Sequence, residues 1–292
     1  MVNTSTPPGG YGWRRLVRHS YHLGGRWLMA GVRHRWSGAR AGLQRLIVPL
    51  DPWRYYEMSR VLDEEFEREW LDVSSPKLLM SCLQADGRGA WVGIDLFSRE
   101  IRAWQQVDPA LDLRVQDARA LDFPDESFDG CLCISVIEHL AANDDATVMA
   151  EMWRVLRPGG RVIVTTNIAR SSRDVLISDH RYDEASVEVA EGSVFFERHY
   201  TYEDLHSRLL SLPWEIDTEE FVRMKSAVVH EWYARFAPAS YVAGGALRWV
   251  CPSNFARIGA PDELMPREMG VGYLVLRKPL NAAASRSRSA SG

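Results

Sequence analysis

Between residues 69 and 167 short apolar runs alternate with amphipathic stretches, and each of the first three runs ends on or beside a carboxylate. These acids are Asp72 in WLDVSS, Asp95 in WVGIDL and Asp117 in LRVQDA. Such alternation is the signature of strands joined by helical crossovers, which builds a mostly parallel sheet covered by helices on both faces. Parallel strands present their carboxyl ends on one edge, so the three acids gather where open α/β sheets hold ligands. Carboxylates on that edge suit a nucleoside-containing ligand, which offers hydroxyl and amine donors. The irregularity is the loop after Asp72, which reads SSPK where a glycine-rich turn is expected.

The periodicity predicts helices over 13–18 and 26–47, broken at Gly24 and Gly25, and another over 53–67, where Tyr56, Val61, Leu62 and Phe66 share a stripe. Strands are predicted at 69–74, 90–95, 112–116, 128–135 and 161–166, with helices from Lys77, over 98–104 and over 144–156. Pro158 is expected to stop the last helix, with a glycine permitting the turn. Residues 168–199 read as a polar, irregular loop over an active site. Thr201 is expected to cap a helix over 202–210. A strand over 214–221, an aromatic-rich insertion over 226–262 and a last strand over 272–277 complete the domain, and the Ser/Ala/Arg tail reads as disordered. The organisation is thus a basic helical extension, 1–67, a domain over 68–280 and a tail over 281–292.

A chain of 292 residues buries a large core. No secretory leader and no membrane-length apolar run are expected. The four cysteines lack metal-ligand spacing, and Cys131 and Cys133 read as core thiols, which fits a reducing cytoplasm. Charge is uneven. Residues 1–50 hold eight arginines and no acid, so a net −4 for the whole chain leaves −12 for the rest. With Trp13, Trp27 and Trp36 among the arginines, this segment suits peripheral contact with an anionic membrane at its inner face, or packing on the acidic remainder or a partner subunit. An arginine-rich, acid-free start also has the composition of an organelle-targeting peptide. Nucleic acid is the weaker partner class, because the basic charge is local and no recognition motif accompanies it.

LDVSS, GIDLFS, VQDARALDFPDESFDGCLCISVIEHL and EMWRVLRPGGRVIVTTN together resemble the class I, seven-stranded, Rossmann-like methyltransferases that use S-adenosyl-L-methionine, in particular their small-molecule group. The resemblance covers roughly residues 68–168, with an echo to 278. It implies methyl transfer to a small-molecule acceptor, and His139 as a possible base points to oxygen. The alternative is a catalytically inactive domain of the same fold, serving in protein or membrane-surface contact, and SSPK motivates it. By the resemblance, Asp72 through Lys77 form the first cofactor loop, with Asp72, Ser74 and Ser75 on the cofactor, although the family carries glycine where Ser74 and Pro76 stand. Asp95 would accept from the ribose hydroxyls, and Leu96 and Phe97 would line the adenine pocket. Asp117 and Ala118 would read the adenine, and Ser135 and Ile137 would face the cofactor.

Glu138 and His139 are the polar pair nearest the chemistry, His139 being suited to proton removal near neutral pH. Both can equally brace the next helix. Some relatives bind a divalent metal here with a further glutamate where this chain has Ser135, so no metal is expected. His199 and Tyr200, with His180, Arg181, Tyr182, Glu197 and Arg198, fall where the family shapes its acceptor site. No GxGxxG follows the first strand, which argues against a nicotinamide oxidoreductase.

Overall fold

The computed structural model describes residues 12–34, 52–178, 188–190, 192–226 and 254–281. Its centre is a mixed sheet in the order β10-β9-β11-β5-β4-β1-β2-β3. The strands are β1 Glu69–Val73, β2 Ala90–Asp95, β3 Asp112–Val115, β4 Phe128–Ile134, β5 Leu156–Ile168, β9 Glu215–Met224, β10 Phe255–Ile258 and β11 Gly270–Arg277. Strands β1 to β5 run parallel. The last strand, β11, is antiparallel to both β5 and β9. The α/β architecture read from the sequence is therefore present, and one strand is added. Phe255–Ile258 pairs antiparallel with β9, so the expected seven strands become eight.

Side-chain alternation sorts the strands onto two layers. Leu132 and Ile134 of β4, Ile163 of β5 and Tyr273 and Val275 of β11 join one core. That core also holds α1 (Gly12–His34), α2 (Pro52–Leu62), α3 (Lys77–Ala85) and α4 (Ser98–Val107). Their neighbours Cys131, Cys133, Val162, Val164, Leu274 and Leu276 join the opposite core, under α5 (Asp144–Val155). Cys131 and Cys133 are free, buried thiols.

Four local expectations need correction. Helix α1 runs unbroken through Gly24 and Gly25. Two glycines cost about 2 kcal/mol of helix propensity, and burial of Leu16, Val17, Leu23 and Trp27, at about 2 kcal/mol each, offsets it. The helix is also held by Trp27 edge-on to Trp104 and by ion pairs from Arg15 to Asp86 and Arg26 to Asp108. His19 donates to Ser81, whose hydroxyl donates to Asp108.

The stretch after β5 is not an irregular loop where it is described. It forms a small antiparallel sheet of β6 (Arg173–Ile177), β8 (Ser193–His199) and β7 (Glu188–Ala190), in the order β6-β8-β7. Alternation here was masked by charged residues whose burial is compensated by ion pairs. The predicted helix over 202–210 is a short α6 (Tyr202–Asp204) continued by a wide π turn, Leu205–Leu209. Thr201 does cap it, in a reciprocal box with Asp204. Strand β5 starts earlier than predicted, at Leu156, because Arg157 to Gly160 extend it past a bulge, with Gly159 at φ +80°. Most of the aromatic insertion, residues 227–253, lies outside the described residues, as do His180, Arg181 and Tyr182, the helix beyond residue 34 and the tail from 282.

Candidate functional site

The chain reverses its direction of winding between β1 and β4, and the cleft at that reversal is where such sheets bind ligands. On its β1–β3 side, Asp72, Asp95 and Asp117 occupy the carboxyl edge as expected. Asp72 is fully buried, and its Oδ1 accepts from the Ser75 amide at 3.0 Å. Ser75 is fastened in turn. Its hydroxyl donates to the Leu132 carbonyl and accepts from the Ile134 amide, tying the loop to β4. Ser74 adopts φ +55°, the left-handed conformation that the family's glycine supplies without strain. The loop thus keeps a glycine-like path with a serine in it.

Between the acids stands Lys77, first residue of α3, only 2% exposed. Its Nζ lies 3.2 Å from Asp95 Oδ2 and 3.7 Å from Asp72 Oδ2, and it donates to the carbonyls of Ser75 (2.9 Å) and Ile94 (3.2 Å). Burial opposes the ammonium charge, but Asp72 and Asp95 outweigh it and hold the lysine protonated. Burial pushes the Asp72 carboxyl up despite Lys77. One buried cation thus stands between two buried acids. The other Asp95 oxygen accepts from the Phe97 amide at 3.0 Å. Leu96 and Ala118 are half-buried beside them. Asp117 is more open and is gripped by Arg119, which holds its carboxyl below the usual range.

The β4–β5 side is a second polar cluster. Ser135 follows β4 at φ +50°. Its hydroxyl donates to Glu57 Oε1 at 2.5 Å, and Thr165 donates to the same oxygen at 2.7 Å. Glu57, on α2, is 1% exposed and has Arg54 3.6 Å away. Glu138 is equally buried and its Oε2 has no hydrogen-bond partner. Burial, with Glu57 adding to it, pushes the Glu138 carboxyl up to about 8. Ile137 beside it is fully buried in the second core. His139 donates from Nδ1 to the Phe196 carbonyl at 2.7 Å, so in the neutral ring Nε2 carries the lone pair. Burial lowers its pKa, which keeps the ring neutral at pH 7.

Strand β8 closes this side. His199 donates from Nε2 to Glu197 at 2.8 Å and accepts at Nδ1 from Arg173, and Asn167 donates to the second Glu197 oxygen. Both nitrogens of His199 are therefore engaged. Tyr200 points elsewhere. Its hydroxyl donates to Asp145 at 2.8 Å, and Arg198 and Arg208 pair with the same buried acid. The structure thus brings Glu138, His139, Glu197 and His199 to one side, and sets Tyr200 in a separate buried network. Among the described residues no three His, Cys, Asp or Glu side chains form a metal-holding group.

Sequence reasoning missed Glu57 and, for Lys77 at the end of the first loop, missed its place between the acids. Glu57 has a readable signal, an acid at helical spacing from both Trp53 and Val61. Lys77 has another, a cation in the first turn of a helix, where the macrodipole disfavours it.

The acids, the half-buried apolar lining and the left-handed backbone at Ser74 fit an adenosyl cofactor in their chemistry. One side chain stands against it, since Lys77 already engages Asp72 and Asp95. Residues 71–164 match the family model described as a methyltransferase domain. A phosphatidylethanolamine N-methyltransferase of Cereibacter sphaeroides is 40% identical over 90 residues, 28% of this chain and 43% of that protein. A demethylmenaquinone methyltransferase of Deinococcus radiodurans is 28% identical over 144 residues, 42% of this chain and 58% of that protein. The chain thus spans about half the length of these curated relatives. A solved S-adenosylmethionine-dependent methyltransferase from Methanosarcina mazei superposes with a TM-score of 0.48 at 16% identity, covering 74% of this chain and 94% of that one. The matched block has the sequence pattern of a methyltransferase domain and lies on a Rossmann-like α/β sheet.

Proposed function

We propose that this chain is an S-adenosylmethionine-dependent methyltransferase acting on a small-molecule acceptor through an oxygen. The observation that carries the reading is the alignment of Asp72, Asp95 and Asp117 on one carboxyl edge, with glycine-like backbone at Ser74, inside the block that matches a methyltransferase domain. S-adenosylmethionine, when bound, supplies an already activated methyl group. Asp95 and Leu96 would hold its ribose and adenine side, Asp117 and Ala118 the adenine edge, Asp72, Ser74 and Ser75 the loop side, and Ser135 and Ile137 the face toward the acceptor.

The chain's own tasks are then orientation, exclusion of water and proton removal. His139 suits the last, because its Nδ1 proton is spent on Phe196 and burial leaves Nε2 basic rather than protonated. Glu197 and His199 position β8 over it, and Glu138 holds its own proton at neutral pH. Calorimetric titration with S-adenosylhomocysteine tests the reading, with D95A and D117A as controls. Binding that weakens at least tenfold in each control is expected, and folded protein that binds nothing would end it. His139→Ala should lower turnover of the acceptor about a hundredfold with homocysteine-analogue affinity unchanged, and equal turnover would remove His139 from the chemistry.

A second reading is peripheral contact with an anionic membrane or a partner subunit, favoured by the outer face of α1. Arg14, Arg18 and His22 are exposed there, followed by Met29 and Val32 at 70% and 68% exposure. Among the described residues no helix is long and apolar enough to cross a membrane. Flotation on anionic liposomes, with and without residues 1–50, tests it. Equal flotation would dismiss it.

A further inference from the structure

Lys77 has no task in the reaction just outlined, yet it is among the most completely buried charges in the molecule and sits in the cleft itself. A buried ammonium needs acceptors around it, and this one finds four oxygens. Two are the carboxylates of Asp95 and Asp72, at 3.2 and 3.7 Å, and two are the backbone carbonyls of Ser75 and Ile94. Those carbonyls belong to the first loop and to the end of β2, the two segments that border the cleft on this side. Three of the four carboxylate oxygens on this edge thus already hold a partner, and the fourth, Asp72 Oδ2, has only the ammonium 3.7 Å away to balance it. Asp95 is left 5% exposed with both oxygens occupied, one by Lys77 and the other by Phe97.

The alternative is that Lys77 only braces the helix start. A brace would be better placed at the other end of α3. A cation at a helix N-terminus meets the positive end of the macrodipole, and α3 has no acid in its first turn to balance it. The position is held by the cleft acids, not by the helix.

We infer that Lys77 is an intramolecular competitor for the cofactor cleft, a resident cation that must withdraw from Asp95 and Asp72 before a nucleoside ligand can take those acceptors. The inference rests on the methyltransferase reading.

The chain has three lysines, Lys77, Lys225 and Lys278, and of these only Lys225 is exposed. Lysine acylation with acetic anhydride, mapped by mass spectrometry, therefore reports Lys77 directly on the full chain. In ligand-free protein Lys77 and Lys278 should be protected and Lys225 modified. At saturating S-adenosylhomocysteine, Lys77 should become at least tenfold more reactive while Lys278 stays protected. Lys77→Met, checked for folding by thermal melting, should bind S-adenosylhomocysteine at least tenfold more tightly than the natural chain.

If the ligand binds while Lys77 stays protected, or if folded Lys77→Met binds no better, the competitor inference is overturned and the methyltransferase reading stands. If neither the natural chain nor folded Lys77→Met binds, the cofactor reading itself falls, and the competitor inference with it. Should Lys77→Met fail to fold, the acylation contrast decides alone.

Discussion

The two sides of the cleft are built from the same material and end in opposite states. On the β1–β3 side the buried acids Asp72 and Asp95 enclose an ammonium, and three of their four oxygens accept from it or from backbone amides. On the β4–β5 side Glu57, Glu138 and Glu197 gather near the Arg54 guanidinium, and burial with Glu57 beside it leaves Glu138 its proton. An internal cation lets a buried acid stay ionised but closes it to other partners. A buried acid for which the fold supplies too little positive charge stays neutral, and remains open to a ligand that brings a donor.

Removing the cation should expose the difference most sharply. Lys77→Met leaves two buried acids uncompensated and should destabilise the protein by about 3 kcal/mol, seen as a lower midpoint in urea at pH 7. An unchanged midpoint would mean that the acids simply share a proton and that the lysine contributes nothing to the fold.

The matching change on the other side has the opposite sign. The unfolded chain ionises Glu138 near its ordinary value of 4.5, whereas the folded chain holds the proton up to about 8. The folded state binds more protons in that window, so stability falls as pH rises through it. Glu138→Gln should remove this slope and stabilise the protein at pH 7 by up to roughly 3 kcal/mol. Parallel slopes for the two proteins between pH 5 and 8 would show that Glu138 is ionised after all.

Two serines in left-handed conformation sharpen the same contrast on a smaller scale. Ser135 donates to the Glu57 carboxylate, so Ser135→Gly should lose roughly 1–2 kcal/mol even as it relieves backbone strain. For Ser74, at φ +55°, strain relief outweighs the added chain entropy, and Ser74→Gly should gain about 0.5 kcal/mol. Thermal melts of the pair check the signs, and two shifts in the same direction would break the distinction.

The succession of strands along the chain and the placement of the acids were legible because they are local. Period-two apolar runs, their spacing and the right-handed rule for crossovers fix a parallel sheet with Asp72, Asp95 and Asp117 on one edge. The reading failed where long-range contacts outweigh local preference. Gly24 and Gly25 stay helical because Leu23 and Trp27 are buried around them, and β6 and β8 pair under charges that are matched in space, such as Arg198 with Asp174.

What the sequence determined by itself was therefore the sheet, its edge of acids and the unusual SSPK loop. Tertiary structure alone decided which partner each buried charge has. Glu57 reaches Ser135 and Thr165 across 78 and 108 residues, and Lys77 turns back onto acids of two different strands. A buried charge is stable only beside its counter-charge or hydrogen-bond partners, and those are brought together by packing between layers, which local periodicity does not encode.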